Sequence, residues 1–191
     1  MTALQPVSQP VLEHPAATQA SEPESDEVLI GERTLNRSLF DIFVAEAKAA
    51  RTTMTTALGQ WRDAPDGPAP QNLIRALHSL VGTSRHVGLS PVRALAAPSE
   101  HILLAQVASG LPMPAGDLER IEVAVSTIGR MLVAFGNRQE PQTEPEVEAD
   151  LAALERQWAD LAARPSTSIA RAGSDDEAEA SGVAEAIDAV E

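Results

Sequence analysis

The 191-residue sequence holds no cysteine and four histidines, His14, His78, His86 and His101, so imidazole is the nucleophile best matched to near-neutral pH. His78 stands in RALHSLVGTSRHVG, residues 75–88, with Gly82 one turn later. Glycine inside a helix costs about 1 kcal/mol relative to alanine. A helix that keeps one leaves a bare patch beside His78. At 100° per residue, Leu73, Leu77, Leu80, Ser84 and Val87 share one arc and form the core face. His78 falls outside that arc, with Gln71, Arg75, Gly82 and Arg85 as its neighbours. Ser79 adds to the polar face, and Ile74 and Val81 sit on the shoulder between the faces. Arg75 and Arg85 lie one or two turns from His78, where their charge offsets an anion on the imidazole. An exposed nucleophilic nitrogen, flanking cations and a bare approach suit a histidine that carries a phosphoryl group and presents it to another protein. The plain alternative is a surface histidine, a glycine kept for packing and two solubilising arginines.

The remaining candidates carry less chemistry. His86 lies about 80° from His78 on the same wheel and reads as a helix-end residue. His101 follows Glu100 on the third helix, and His14 falls in the N-terminal segment. No histidine pair has metal-ligand spacing and no HExxH occurs, so no metal site is expected. SRHVG and GLS follow no strand and make no nucleophile elbow. Asp175 and Asp176 lie in the acidic tail, where nothing holds acid–base geometry.

The elements that must position His78 are helical. Leu39, Ile42, Phe43, Ala47, Ala50, Met54, Leu58 and Trp61 recur mostly at steps of three and four, with Asn36 as N-cap. RDAPDGPAP ends this first helix. The second starts near Pro70 and stops at Gly88. Ser90 and Pro91 read as N-cap and first residue of a third helix, in which Pro98 is expected to kink or break the helix near Ala97. The fourth carries Leu118, Ile121, Val125, Ile128, Leu132 and Phe135. Short connections predict an all-α, antiparallel four-helix bundle over residues 34–138. Residues 1–33 read as a disordered acidic, Pro-rich linker. Residues 139–191 read as a linker, a possible helix at 146–163 with Leu151, Leu154, Trp158 and Leu161, and an acidic tail. That helix either packs on the domain or stays marginal in solution. No strand and no internal repeat is expected.

Composition agrees. With 28 acidic and 14 basic residues the net charge is −14, which argues against nucleic-acid binding. Aromatic residues make up 3%, so the core is aliphatic. No apolar run is long enough to cross a bilayer, and the N-terminus lacks the basic and apolar regions of a secretory signal. A cytoplasmic, monomeric module is the expectation.

The string HSLVGTSRHVG, preceded by LIRALHSL, resembles the phosphorylation motif of histidine phosphotransfer (HPt) domains, in particular those of large chemotaxis-type hybrid kinases of the type IV pilus class. His78, Leu80, Gly82, Ser84 and Gly88 match the family pattern, and Val81 stands where the family has a lysine. The resemblance covers roughly residues 36–137. It implies a four-helix bundle with His78 as phosphoacceptor on the second helix and no ATP site of its own. Phosphate would pass to or from a receiver-domain aspartate or a histidine kinase catalytic domain. This chain would need no cofactor, and Mg²⁺ would sit on the receiver. Two alternatives stay open: an HPt-like module that docks its partner without transfer, favoured by Val81, and a purely structural bundle.

Overall fold

The computed structural model describes residues 26–163. The segments read as the N-terminal linker up to residue 25 and the acidic tail from residue 164 lie outside the described residues. The elements are β1 (Glu27–Ile30), β2 (Arg33–Asn36), α1 (Arg37–Asp63), α2 (Gln71–His86), α3 (Ser90–Ser109), α4 (Ala115–Gly136) and α5 (Pro145–Ala163). α2 packs between α1 and α3, and α4 closes the bundle against α1 and α3. Short loops force neighbours to run antiparallel.

The helices form where periodicity and caps place them. Asn36 Oδ1 accepts the Leu39 N–H at 3.2 Å and starts α1. Phe40, Phe43, Ala47, Met54, Leu58 and Trp61 are buried along it. Ile42, expected in that stripe, is 58% exposed. It lies about 100° around the helix from Phe43 and about 160° from Phe40, beyond the buried arc. All six apolar residues expected to line α4 are buried. Phe135 meets Phe43 edge-on at 5.1 Å and Phe40 at 5.4 Å, joining α4 to α1.

Three features differ from the sequence reading. First, Pro98 does not break α3, which runs through from Ser90 to Ser109. Proline leaves the Ala94 carbonyl without its helical donor. Val92, Leu95, Ala96, Ile102 and Leu103 are fully buried on both sides of it, and that packing holds the helix together. Second, Leu89 rather than Ser90 is the N-cap of α3, and Ser90 is its first residue. Third, β1 and β2 pair antiparallel, with Val28 opposite Leu35. Val28 and Ile30 point inward with period two, and Gly31 makes the turn at φ +58°. Arg33 of this hairpin donates Nη1 to the Val87 carbonyl at 2.6 Å and Nε to Glu140 at 2.8 Å. The hairpin therefore ties the end of α2 to the segment before α5.

α5 packs on α3 and α4 as part of the same core. Leu151, Leu154 and Trp158 are buried, and Trp158 Nε1 donates to Asp117 Oδ2 at 3.1 Å. Arg120 grips Asp150 from α4, with Nε to Oδ2 at 2.8 Å and Nη2 to the backbone carbonyl at 2.9 Å. The hydrogen bond from Arg120 lowers the Asp150 carboxyl below its usual range, and the bond to Asp150 raises the Arg120 guanidinium. A lowered carboxyl stabilises the fold above the ordinary Asp range and stops doing so as pH falls through its folded value. Asp150→Asn is expected to cost about 0.5 kcal/mol at pH 7, since solvent screens this half-exposed pair. Thermal melts of the two proteins should converge as pH drops below about 4. A gap that widens in acid would show that the pair is not the cause.

Candidate functional site

α2 is built to present one face. Leu73, Leu77, Leu80, Ser84 and Val87 are buried, as their shared arc requires. Ile74, assigned to the shoulder, is buried at 6% exposure, and Val81 is half-buried against the core. Gln71, Arg75, Ser79, Gly82 and Arg85 are exposed. A methyl group added at Gly82 would meet nothing within 4 Å, so the approach to His78 from the next turn is open. Gly88, in the left-handed region at φ +69°, follows the last residues of α2 and lets the chain reverse into α3.

The His78 side chain is 78% exposed. Its Nδ1 lies 2.7 Å from Oε1 of Glu100, whose own side chain is 11% exposed. A carboxylate only accepts, so in the neutral imidazole Nδ1 carries the proton and Nε2 keeps its lone pair, on the side of the ring away from Glu100. The pair thus does two things: it orients the ring and leaves one nucleophilic atom facing solvent. Any positive charge that develops on the ring is met by the carboxylate.

The structure brings His78 together with Glu100, not with the residues the wheel places around it. Among the described residues, none of Gln71, Arg75, Ser79, Gly82 or Arg85 hydrogen-bonds the imidazole, and Arg75 and Arg85 form no ion pair. Glu100 was missed because it is 22 residues from His78 and on another helix. A signal did exist. Glu100 is one turn from Ala96 and Leu103, both fully buried, so it sits at the edge of an apolar stripe where a carboxylate needs a partner. Arg93, also exposed, lies two turns before Glu100 on α3 and likewise forms no ion pair among the described residues. His86 is exposed at the end of α2. His101 turns toward α5, with Nδ1 2.6 Å from Glu155 Oε1. His14 lies outside the described residues. No helix among the described residues is long and apolar enough to cross a membrane.

A helical bundle that exposes a histidine in the middle of its second helix, oriented by a carboxylate from its third, defines a class of domain built around a surface imidazole. The family model for the Hpt domain matches residues 38–164, and the chain belongs to that family. The match runs past α4 and takes in α5. Among solved structures, the chain is similar to the phosphorylated P1 domain of CheA3 from R. sphaeroides, crystallised in complex with CheY6. Identity is 24% and the TM-score 0.55, over 65% of this chain and 98% of that one, which shows a shared fold. A comparison with curated proteins finds no match.

Proposed function

We propose that this Hpt domain carries a phosphoryl group on Nε2 of His78 and exchanges it with the aspartate of a response-regulator receiver domain. The carrying observation is the His78–Glu100 pair, which leaves Nε2 as the open nucleophile. The similar P1 domain is described as phosphorylated and in complex with CheY6, which supports a receiver as partner. In the forward step the Nε2 lone pair attacks phosphorus of the aspartyl phosphate. The P–N bond forms, the P–O bond to the carboxyl breaks, and the carboxylate leaves with the electron pair. Nδ1 keeps its proton, and Glu100 balances the charge gained by the ring. Mg²⁺ belongs to the receiver in this scheme. A kinase catalytic domain can load the same atom from ATP, and the module acts as a cytoplasmic monomer.

Arg75, Gly82, Arg85, Gln71 and Ser79 form the partner face around the acceptor. The alternative, a module that docks without transfer, has one feature in its favour. Val81 packs against the core where relatives place a lysine, so no cation is supplied from that position. The deciding experiment incubates the chain with a radiolabelled phospho-receiver and Mg²⁺. Acid-labile label on His78 is expected. Binding without label would establish the docking module instead.

Glu100 carries its own prediction. Hydrogen bonds to charged groups contribute roughly 1.5–3 kcal/mol. Glu100→Ala is therefore expected to slow transfer about ten- to a hundredfold. Glu100→Gln should recover part of the rate, because its amide oxygen still accepts from Nδ1. If both variants transfer at the wild-type rate, ring orientation by Glu100 is irrelevant to the chemistry.

A further inference from the structure

The His78–Glu100 contact sets the register of α2 against α3. Because the two helices run antiparallel, moving seven residues from each partner toward the connecting turn reaches Arg85 on α2 and Arg93 on α3. These two cations therefore lie opposite one another, about 10 Å along the helix axes from the acceptor. Moving the other way along α3 reaches Leu104 after one turn and Val107 after two. With Glu100 at zero on the α3 wheel, Arg93 falls near 20°, Leu104 near 40° and Val107 near −20°. All three share the edge of α3 that meets His78. Leu104 is 45% exposed and Val107 36%, and Leu111 in the following loop is 44% exposed. Arg85 and Arg93 are exposed, and neither forms an ion pair among the described residues.

The turn side of His78 thus carries only the cations Arg85 and Arg93, and the far side carries exposed aliphatic side chains of α3 beside Arg75 of α2. A partner that brings an aspartyl phosphate to Nε2 cannot avoid either side. A specific interface covers about 800 Å² on each partner, a patch roughly 16 Å in radius, and both ends lie inside that radius. The chain carries a net charge of −14, so its overall field repels an acidic partner. Local cations at Arg85 and Arg93 oppose that field near where the phosphate arrives. Val81 supplies no charge, so the cationic side is built by the end of α2 and the start of α3 together.

We infer that this face docks the receiver domain in one orientation, with an acidic rim of the receiver against Arg85 and Arg93 and an apolar patch over Leu104 and Val107. The inference rests on His78 being the phosphoacceptor. The test separates the two. His78 is first phosphorylated chemically with phosphoramidate in the full chain, which needs no partner. Discharge to a receiver is then timed at low and high salt for wild type, Arg93→Glu, Leu104→Glu and the far-face control Val133→Glu. Arg93→Glu is expected to slow discharge about tenfold at low salt, with the gap closing as salt rises. Leu104→Glu is expected to slow it more than tenfold at low salt and still about tenfold at high salt, since the added charge is screened but the lost apolar burial is not. Val133 is 43% exposed on α4, and its variant should match wild type. Each of these side chains is exposed, so thermal melts should be unaffected. Wild-type discharge by both Arg93→Glu and Leu104→Glu, or equal slowing by Val133→Glu, would overturn the docking inference. Failure of phosphoramidate to label His78 would overturn the phosphoacceptor reading beneath it.

Discussion

His78→Gln is expected to abolish acid-labile phosphorylation while leaving the thermal melt almost unchanged. Glutamine has no nucleophilic ring nitrogen, so no P–N bond forms, and loss of label is complete rather than partial. The side chain is 78% exposed, so its removal takes little apolar area out of the core. The lost bond to Glu100 is the main stability term. A glutamine at position 78 keeps an amide donor that can reach toward the same carboxylate. The measurement is label transfer from a phospho-receiver, followed by acid treatment and peptide mapping. Label that persists in the variant would move the acceptor elsewhere. His101 would be tested next, since its Nδ1 also faces a carboxylate, and then His86.

The largest stability effect is expected at Trp158, on α5 rather than on the acceptor helix. Its ring is 1% exposed between α5 and the bundle, and its Nε1 donates to Asp117, itself largely buried. Truncation to alanine removes the ring, leaves a cavity and takes from Asp117 Oδ2 the shorter of its two hydrogen bonds, the other coming from Gln157 Nε2 at 3.4 Å. Large aromatic-to-alanine changes in cores cost about 3–5 kcal/mol. For a domain of this size that is a fall in Tm of roughly 10 °C or more. Because α5 packs along α3, the loss should also loosen the helix that holds Glu100. Trp158→Phe keeps an aromatic ring in the site and loses the N–H and the second ring, so it should cost less than the alanine change. A melt of Trp158→Ala within 2 °C of wild type would mean that α5 is not part of the cooperative unit.

The contrast between these residues shows how far the sequence could be read. His78 was found because its exposure depends only on angles within one helix. Leu73, Leu77 and Leu80 define the buried arc of α2, and His78 must point away from it. The same local arithmetic placed all six apolar residues of α4 in the core and Asn36 at the start of α1. Ile42 failed the same test by about 100°, because a step of three or four was counted without asking where the arc was centred.

Elsewhere, competing local signals needed the tertiary structure to decide them. Pro98 argues for a break, but the buried residues on either side of it bind α3 so tightly that one missing hydrogen bond is tolerated. VLIGERTL is too short to read as a hairpin alone. It becomes one because Val28 and Ile30 find a core to enter and Arg33 finds the Val87 carbonyl and Glu140. The α5 periodicity was visible, yet only contact with α3 and α4 distinguishes a docked helix from a marginal one.

By itself, then, the sequence determined the helical class, the faces of α2 and α4, and an exposed His78 beside a bare Gly82, since each follows from side-chain spacing along one helix. The tertiary structure decided which carboxylate meets His78, which ring nitrogen stays open, and how Arg93 and Leu104 flank it. Those depend on the register of α3 against α2, which is set by the sum of many buried contacts between residues distant in the chain.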